Sequence, residues 1–307
     1  MPLPPSIFHP LSSFRKWAGF VRFSHTIFAL PFALAAMAVA ARDNRGWPGW
    51  KTFLLILAAM VSARTCAMAF NRVVDRKFDA LNPRTANRHL PRGEVSLPGA
   101  IALCALSAAG LVVASYFLNP LCFYLSPVAL IVICFYSLTK RFTDYTHVFL
   151  GAALALAPVG AWLAVKGSNV SGMEILQMST LAVAVVLWLV GFDIIYALQD
   201  YEFDRSHGLR SLVVAWGQKN ALHAAFLAHM LMCGLLFAFG FLCGFRVAYI
   251  VGWLIIVGCL VLEHWIAQRR SLNWINVAFF RLNAVVSMVF LVVVATEVIF
   301  NGGFRMR

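Results

Sequence analysis

Residues 95–139 read VSLPGAIALCALSAAGLVVASYFLNPLCFYLSPVALIVICFYSLT, without one Asp, Glu, Lys or Arg. A membrane-spanning helix needs about 20 mostly apolar residues, so this run is long enough to cross a bilayer twice. Asn119-Pro120, near its middle, is the natural turn between the crossings. Read the same way in both directions, the 307-residue chain offers helices near 20–41, 52–74, 98–118, 121–139, 147–165, 175–197, 221–242, 247–266 and 278–300. Pro31 and Pro158 fall inside two of these and are expected to kink them.

Composition agrees. Hydrophobic residues make up 62% of the chain and charged residues 12%, against roughly 45–50% and about 25% in an ordinary globular protein. Mean hydropathy is +0.81. Too little polar surface remains to cover a soluble body, and disorder, a disulfide-rich secreted scaffold and a nucleic-acid-binding domain are excluded on the same ground. The fold class expected is therefore an all-α polytopic membrane protein, with residues 1–307 forming a single transmembrane domain. The seven Cys lie in or beside apolar stretches, with no CxxC spacing, and read as small core residues.

Net charge is +13. Summed over alternate sides of nine helices, Lys and Arg divide 17 to 7, with Arg64 inside a helix left out. Positive residues concentrate in cytoplasmic loops, which places the N-terminus and the loops after the second, fourth, sixth and eighth helices in the cytoplasm. In a bacterium the host membrane would be the inner one.

Five of the seven Asp fall in two short stretches: Asn71-Arg-Val-Val-Asp75-Arg-Lys-Phe-Asp79 and Asp193-Ile-Ile-Tyr196-Ala-Leu-Gln-Asp200-Tyr-Glu-Phe-Asp204. Oxygen-bearing side chains recur every fourth residue, which on a helix makes one stripe. Like charges at that spacing repel by a few tenths of a kcal/mol, and helix C-termini disfavour anions by roughly 0.3–1 kcal/mol each. Two clusters that break the same two rules call for a compensating ligand. An all-oxygen donor set favours a hard cation such as Mg²⁺, usually shared with substrate phosphates. Arg84 and Arg88 after the second helix, and Lys140-Arg141 after the fourth, supply the positive charge that a diphosphate needs. Arg64, two turns before Asn71 on the same face, is a charge inside the bilayer and reads as functional. Arg22 and His25 open the first helix and either reach the cavity or extend to the headgroups. Asn276, Arg281 and Asn283 either line the site or join helices, whereas Glu263, Glu297, His229 and His264 read as packing residues.

With these residues in place, the chain resembles the UbiA-type membrane prenyltransferases. NxxxDxxxD at Asn71, Asp75 and Asp79 is similar to their first aspartate motif, and YxxxDxxxD at Tyr196, Asp200 and Asp204 to the second. Arg22-Phe-Ser-His25, Asn82-Pro-Arg84-Thr85 and Tyr136-Ser-Leu-Thr-Lys140-Arg141 extend the likeness. The resemblance implies nine helices around a central cavity that opens to the cytoplasm and to lipid. It also implies Mg²⁺-dependent transfer of a polyprenyl group from a diphosphate to an aromatic acid, with 4-hydroxybenzoate first and a dihydroxynaphthoate as the alternative. By the same resemblance Asn71, Asp75, Asp79, Asp200 and Asp204 hold the metal. Lys140, Arg141, Arg84 and Arg88 bind diphosphate, Asp193, Tyr196 and Arg141 serve catalysis, and Arg64 and Arg22 receive the acceptor. The bilayer is the remaining partner; no nucleic acid is expected. An ion-coupled transporter would place its charges at helix midpoints, and the motifs here sit at helix ends.

Overall fold

A computed structural model describes residues 16–22, 26–269 and 272–301. Those residues are helical with short connections. Nine long helices run in the expected order: α1 (Thr26–Ala40), α2 (Trp50–Leu81), α3 (Leu97–Leu118), α4 (Pro120–Phe135), α5 (Thr146–Lys166), α6 (Gly172–Ala197), α7 (Leu212–Leu242), α8 (Val247–Arg269) and α9 (Leu272–Asn301). Eight spans among the described residues are long and apolar enough to cross a membrane; α1 contributes a shorter apolar run, Phe28–Ala40.

Local chemistry sets the boundaries. Asn119 ends α3 and caps α4: its Oδ1 accepts from the Cys122 amide at 2.9 Å while Nδ2 donates to the Leu163 carbonyl of α5 at 2.9 Å. The turn expected at Asn119-Pro120 thus also ties the hairpin to its neighbour. Ser171 and Glu174 form a reciprocal capping box at the start of α6, which satisfies two otherwise orphaned backbone donors. In α7, Gly217 adopts φ 76° and splits off the first turn; the apolar crossing proper therefore begins near the expected residue 221. Pro31, Pro127 and Pro158 lie within α1, α4 and α5.

From α2 to α9 each long helix packs on its successor, including the pairs α2–α3 and α6–α7 that the motif connections join, and α9 returns to α1, which also lies against α5. Among the eight spans α6 is the most enclosed. Trp188 at its centre is fully buried against Phe28, Phe32 and Phe192. Burying a large side chain of this kind contributes about 1.5–3 kcal/mol, so α6 is a rigid wall on which a site can be built. Asn283 and Glu297 join helices. Asn283 accepts from the Trp188 indole at 2.7 Å and donates to Glu263 at 3.0 Å, and Glu297 accepts from the Tyr249 amide at 3.0 Å. His229 and His264 meet at 2.9 Å inside the same region. Arg281 is exposed. His25 and the Asn276 side chain lie outside the described residues.

Candidate active site

The first motif differs from expectation in one respect: α2 does not stop near residue 74 but continues to Leu81. Asn71, Asp75 and Asp79 therefore stand on one helical face, one turn apart. Asn71 Nδ2 donates to Asp75 Oδ2 at 2.8 Å. The second motif is not one stripe. After Tyr196 the backbone tightens into a 3₁₀ turn at Leu198–Asp200 and restarts as a short helix, Tyr201–Ser206. Asp200 and Asp204 are both buried.

Asp75, Asp79, Asp200 and Asp204 each face a cation. Arg84, on the connection after α2, crosses to the second motif. Its Nε donates to Asp200 Oδ1 at 2.8 Å, its Nη2 to Asp200 Oδ2, and its Nη1 to the Tyr196 hydroxyl at 2.8 Å. Asn82 Nδ2 adds a hydrogen bond to Asp200 at 3.0 Å. Burial works against the Arg84 charge, but its hydrogen bonds to Asp200 and the pull of Tyr196 and Asp200 outweigh it and hold the guanidinium above its ordinary value. Arg88 turns back to Asp79 at 2.6 Å. Lys140 and Arg141 are adjacent in the chain yet diverge: Lys140 reaches Asp204 at 3.2 Å, and Arg141 reaches Asp75 at 3.2 Å. A dipeptide that touches both motifs places them on opposite sides of one short gap.

That gap is the mouth of a cavity of about 550 Å³. Every residue singled out from the sequence for metal, diphosphate, catalysis or acceptor lines it, from Arg22 and Arg64 to Asp204. Arg22 is not helical as expected: it adopts φ 47° before α1, and its carbonyl accepts from Arg64 Nη2 at 3.3 Å. The rest of the lining is mostly apolar, from Phe28, Phe192 and Phe280 beside Tyr196 to Leu118, Cys122 and Leu163 at the opposite ends of α3, α4 and α5. Thus cations and carboxylates gather at one end, and greasy side chains line the other.

Three participants escaped the sequence reading. Asn82 was visible only as part of a string. Arg72, between Asn71 and Asp75 on α2, is buried 3.8 Å from Asp79, and its position in the sequence does not signal that contact. His147, fully buried, meets Asp193 at 2.6 Å, and nothing in its local sequence signals the contact.

The donor chemistry bears on a metal. Asp79 Oδ2 is buried and accepts no hydrogen bond, which is unusual for a carboxylate oxygen and leaves a lone pair for a cation. No three acidic, His or Cys side chains converge into a cage among the described residues. The residues fit a hard ion held jointly by protein carboxylates and substrate oxygens, the usual Mg²⁺ arrangement.

Known proteins resemble this arrangement along most of its length. The 4-hydroxybenzoate octaprenyltransferase of Nitrosococcus oceani is 31% identical over 248 residues, covering 80% of this chain and 84% of that protein. The apo structure of a UbiA homolog from Aeropyrum pernix K1 superposes with a TM-score of 0.80 at 32% identity, covering 89% of this chain and 98% of the other. A UbiA homolog from Archaeoglobus fulgidus bound to GPP and Mg²⁺ shares the fold at a TM-score of 0.67 and 21% identity, covering 92% and 99%. Residues 29–285 match the UbiA prenyltransferase family, and the chain, a multi-pass membrane enzyme, belongs to it.

Proposed function

We propose that the protein transfers a polyprenyl group from a polyprenyl diphosphate to the ring of 4-hydroxybenzoate, with Mg²⁺ as cofactor, in quinone biosynthesis. The observation that carries this reading is the fork at Lys140-Arg141, which contacts both aspartate motifs across the mouth of a cavity whose depths are apolar. A diphosphate headgroup suits the charged end and a prenyl tail the greasy one. Likeness to 4-hydroxybenzoate octaprenyltransferases supports the acceptor, and the ligands of the Archaeoglobus fulgidus homolog support the donor and the ion.

Asn71, Asp75, Asp79, Asp200 and Asp204 would hold the ion, which supplies charge neutralisation to the diphosphate oxygens. Lys140, Arg141, Arg84 and Arg88 balance the charge that grows on the departing diphosphate. Arg84 also packs over the Tyr196 ring, 5.2 Å from its centroid, which holds that ring near the reacting end. Phe28, Phe192 and Phe280 exclude water and offer ring faces to an allylic cation. Arg64, whose Nε is buried without a partner, and Arg22 suit the acceptor carboxylate. The charge balance of the loops supports a site on the cytoplasmic side, in a chain whose residues 1–307 would act as one domain.

Purified protein in bilayers, given one labelled polyprenyl diphosphate with 4-hydroxybenzoate or a dihydroxynaphthoate, is expected to yield prenylated 4-hydroxybenzoate only when Mg²⁺ is present. A product from the naphthoate alone would reassign the acceptor. Absence of any prenylated aromatic, or gradient-driven uptake by vesicles, would refute the reading.

A further inference from the structure

Five aspartates line the cavity, and four of them face arginine or lysine: Asp75, Asp79, Asp200 and Asp204. Asp193 is different. Its Oδ2 lies 2.6 Å from Nδ1 of His147, an imidazole with 0% side-chain exposure. The other ring nitrogen, Nε2, is buried with no hydrogen-bond partner. A neutral ring with its hydrogen on Nδ1 therefore donates to Asp193 and leaves only a lone pair at Nε2, whereas a charged ring would strand a second donor. A carboxylate clamped by a permanent cation is a poor proton acceptor; Asp193 lies within electrostatic reach of Lys140 but makes no ion pair with it, and among the described residues its one hydrogen-bonding partner is the imidazole, which leaves an oxygen usable.

Position points the same way. Asp193 lies on α6 four residues before its end, and Asp200 lies in the 3₁₀ turn that follows; at roughly 1.5–2 Å per residue Asp193 stands up to about 12 Å further along the chain towards the interior. A headgroup gripped at the motif mouth leaves its allylic carbon, and the ring that attacks it, at that depth. Phe192 lies beside Asp193 in sequence and Phe280 beside Tyr196 in space, 5.8 Å between ring centroids. The contact with His147 depends on close packing of α5 on α6. One turn beyond His147, a Cβ on Gly151 would stand 2.9 Å from the Val186 carbonyl, so α5 comes as near as a bare backbone allows.

Resting on the prenyl-transfer reading, we propose that Asp193 takes the proton released from the aromatic ring and that His147 is a positioning residue that aims it. A bond forms from the aryl carbon to the allylic carbon, while the allylic C–O bond breaks and its electron pair leaves on the diphosphate. The C–H bond at the attacked carbon then breaks; its electrons restore the aromatic ring, and its proton passes to the free Asp193 oxygen. Neither oxidant nor reductant is required.

The test uses the full chain, an acceptor deuterated at the attacked carbon, and a donor with ¹⁸O in the bridging position. His147→Leu is expected to lower kcat about 10–100-fold, the usual effect of losing a group that orients a working ligand or base, with acceptor KM unchanged. The isotope effect on kcat rises as proton removal becomes limiting, while ¹⁸O scrambling in recovered donor persists because ionisation does not need the base. His147→Asn, whose amide nitrogen can stand where Nδ1 stood, restores the rate and the small isotope effect. Asp193→Asn loses about 10²–10⁴-fold, the range of a positioned proton acceptor, again with a raised isotope effect. If His147→Leu does not accumulate, His147→Asn against Asp193→Asn decides the matter. An unchanged isotope effect in Asp193→Asn, or wild-type turnover by it, overturns the proposal alone. Scrambling by the wild type without any prenylated product overturns the transfer reading as well.

Discussion

Asp200→Asn separates charge pairing from chemistry. Like-charge repulsion along the motif, taken alone, suggests that Asp75→Asn and Asp200→Asn would both abolish transfer and leave the fold intact. The pairs in the structure make the two positions unequal. Asp200 is buried, accepts two hydrogen bonds from Arg84 and a third from Asn82. An amide keeps one acceptor but turns an NH₂ group toward a guanidinium that has no lone pair to offer. Breaking a fully buried ion pair costs about 3–5 kcal/mol. The Arg84 side chain, however, keeps 27% exposure, and water recovers part of its solvation. A loss of about 2 kcal/mol remains, near that of a hydrogen bond to a charged group. At ~2–4 °C per kcal/mol for a large domain, melting falls by about 5 °C. The Asp75 pair is looser, with 27% and 36% exposure on its two sides, and such pairs contribute about 0–1 kcal/mol. Asp75→Asn should therefore melt within about 4 °C of wild type on the same scale, and closer to it than Asp200→Asn. Melting in detergent, followed by tryptophan fluorescence, measures the difference, and product formation from labelled donor measures transfer. Both variants are expected to lose transfer. Equal melting shifts would refute the pairing as drawn, and transfer retained by either variant would refute the assignment of its motif.

Arg64→Leu should raise the acceptor KM while donor ionisation, read by ¹⁸O scrambling, continues; an unchanged KM would remove Arg64 from the acceptor end. Gly151→Ala forces a methyl to within 2.9 Å of the Val186 carbonyl, so α5 must move off α6 at a cost of about 1–3 kcal/mol. A lower melting temperature and a kcat deficit shared with His147→Leu would follow, and neither change would mean that the two helices have slack. Glu263→Gln, in the polar cluster with Asn283 and outside the cavity lining, is expected to leave kcat and KM for both substrates unchanged. A tenfold loss of kcat would tie that cluster to catalysis.

Helices were legible because one physical signal, absence of charge over a bilayer's thickness, sets them; Asn119 shows that even a turn between two spans carries its own capping chemistry. Motif spacing was legible on α2 because the helix continues through it, and misleading after Tyr196, where no Gly or Pro marks the change to a 3₁₀ turn. What ends α6 there is a set of tertiary bonds: Asp200 is drawn to Asn82 and Arg84 from the other motif's connection. Periodicity assigns a side chain to a face of its own helix and is silent on which helix meets that face. That silence hid His147, 46 positions from its partner, and it also distorted the reading of charge. Read in sequence, Asp75 and Asp79 repel, and Arg84 and Lys140 wait for substrate. In space each cation already neutralises a carboxylate, one of them across the mouth of the cavity. The two descriptions are reconciled if the same four cations have two sets of partners. They neutralise the motif carboxylates when the cavity mouth is empty, and they exchange them for diphosphate oxygens when a donor and its ions enter. The repulsion that the sequence pattern advertises is then the charge that the ions replace, which is why a site of this kind can remain folded and buried before its ligand arrives.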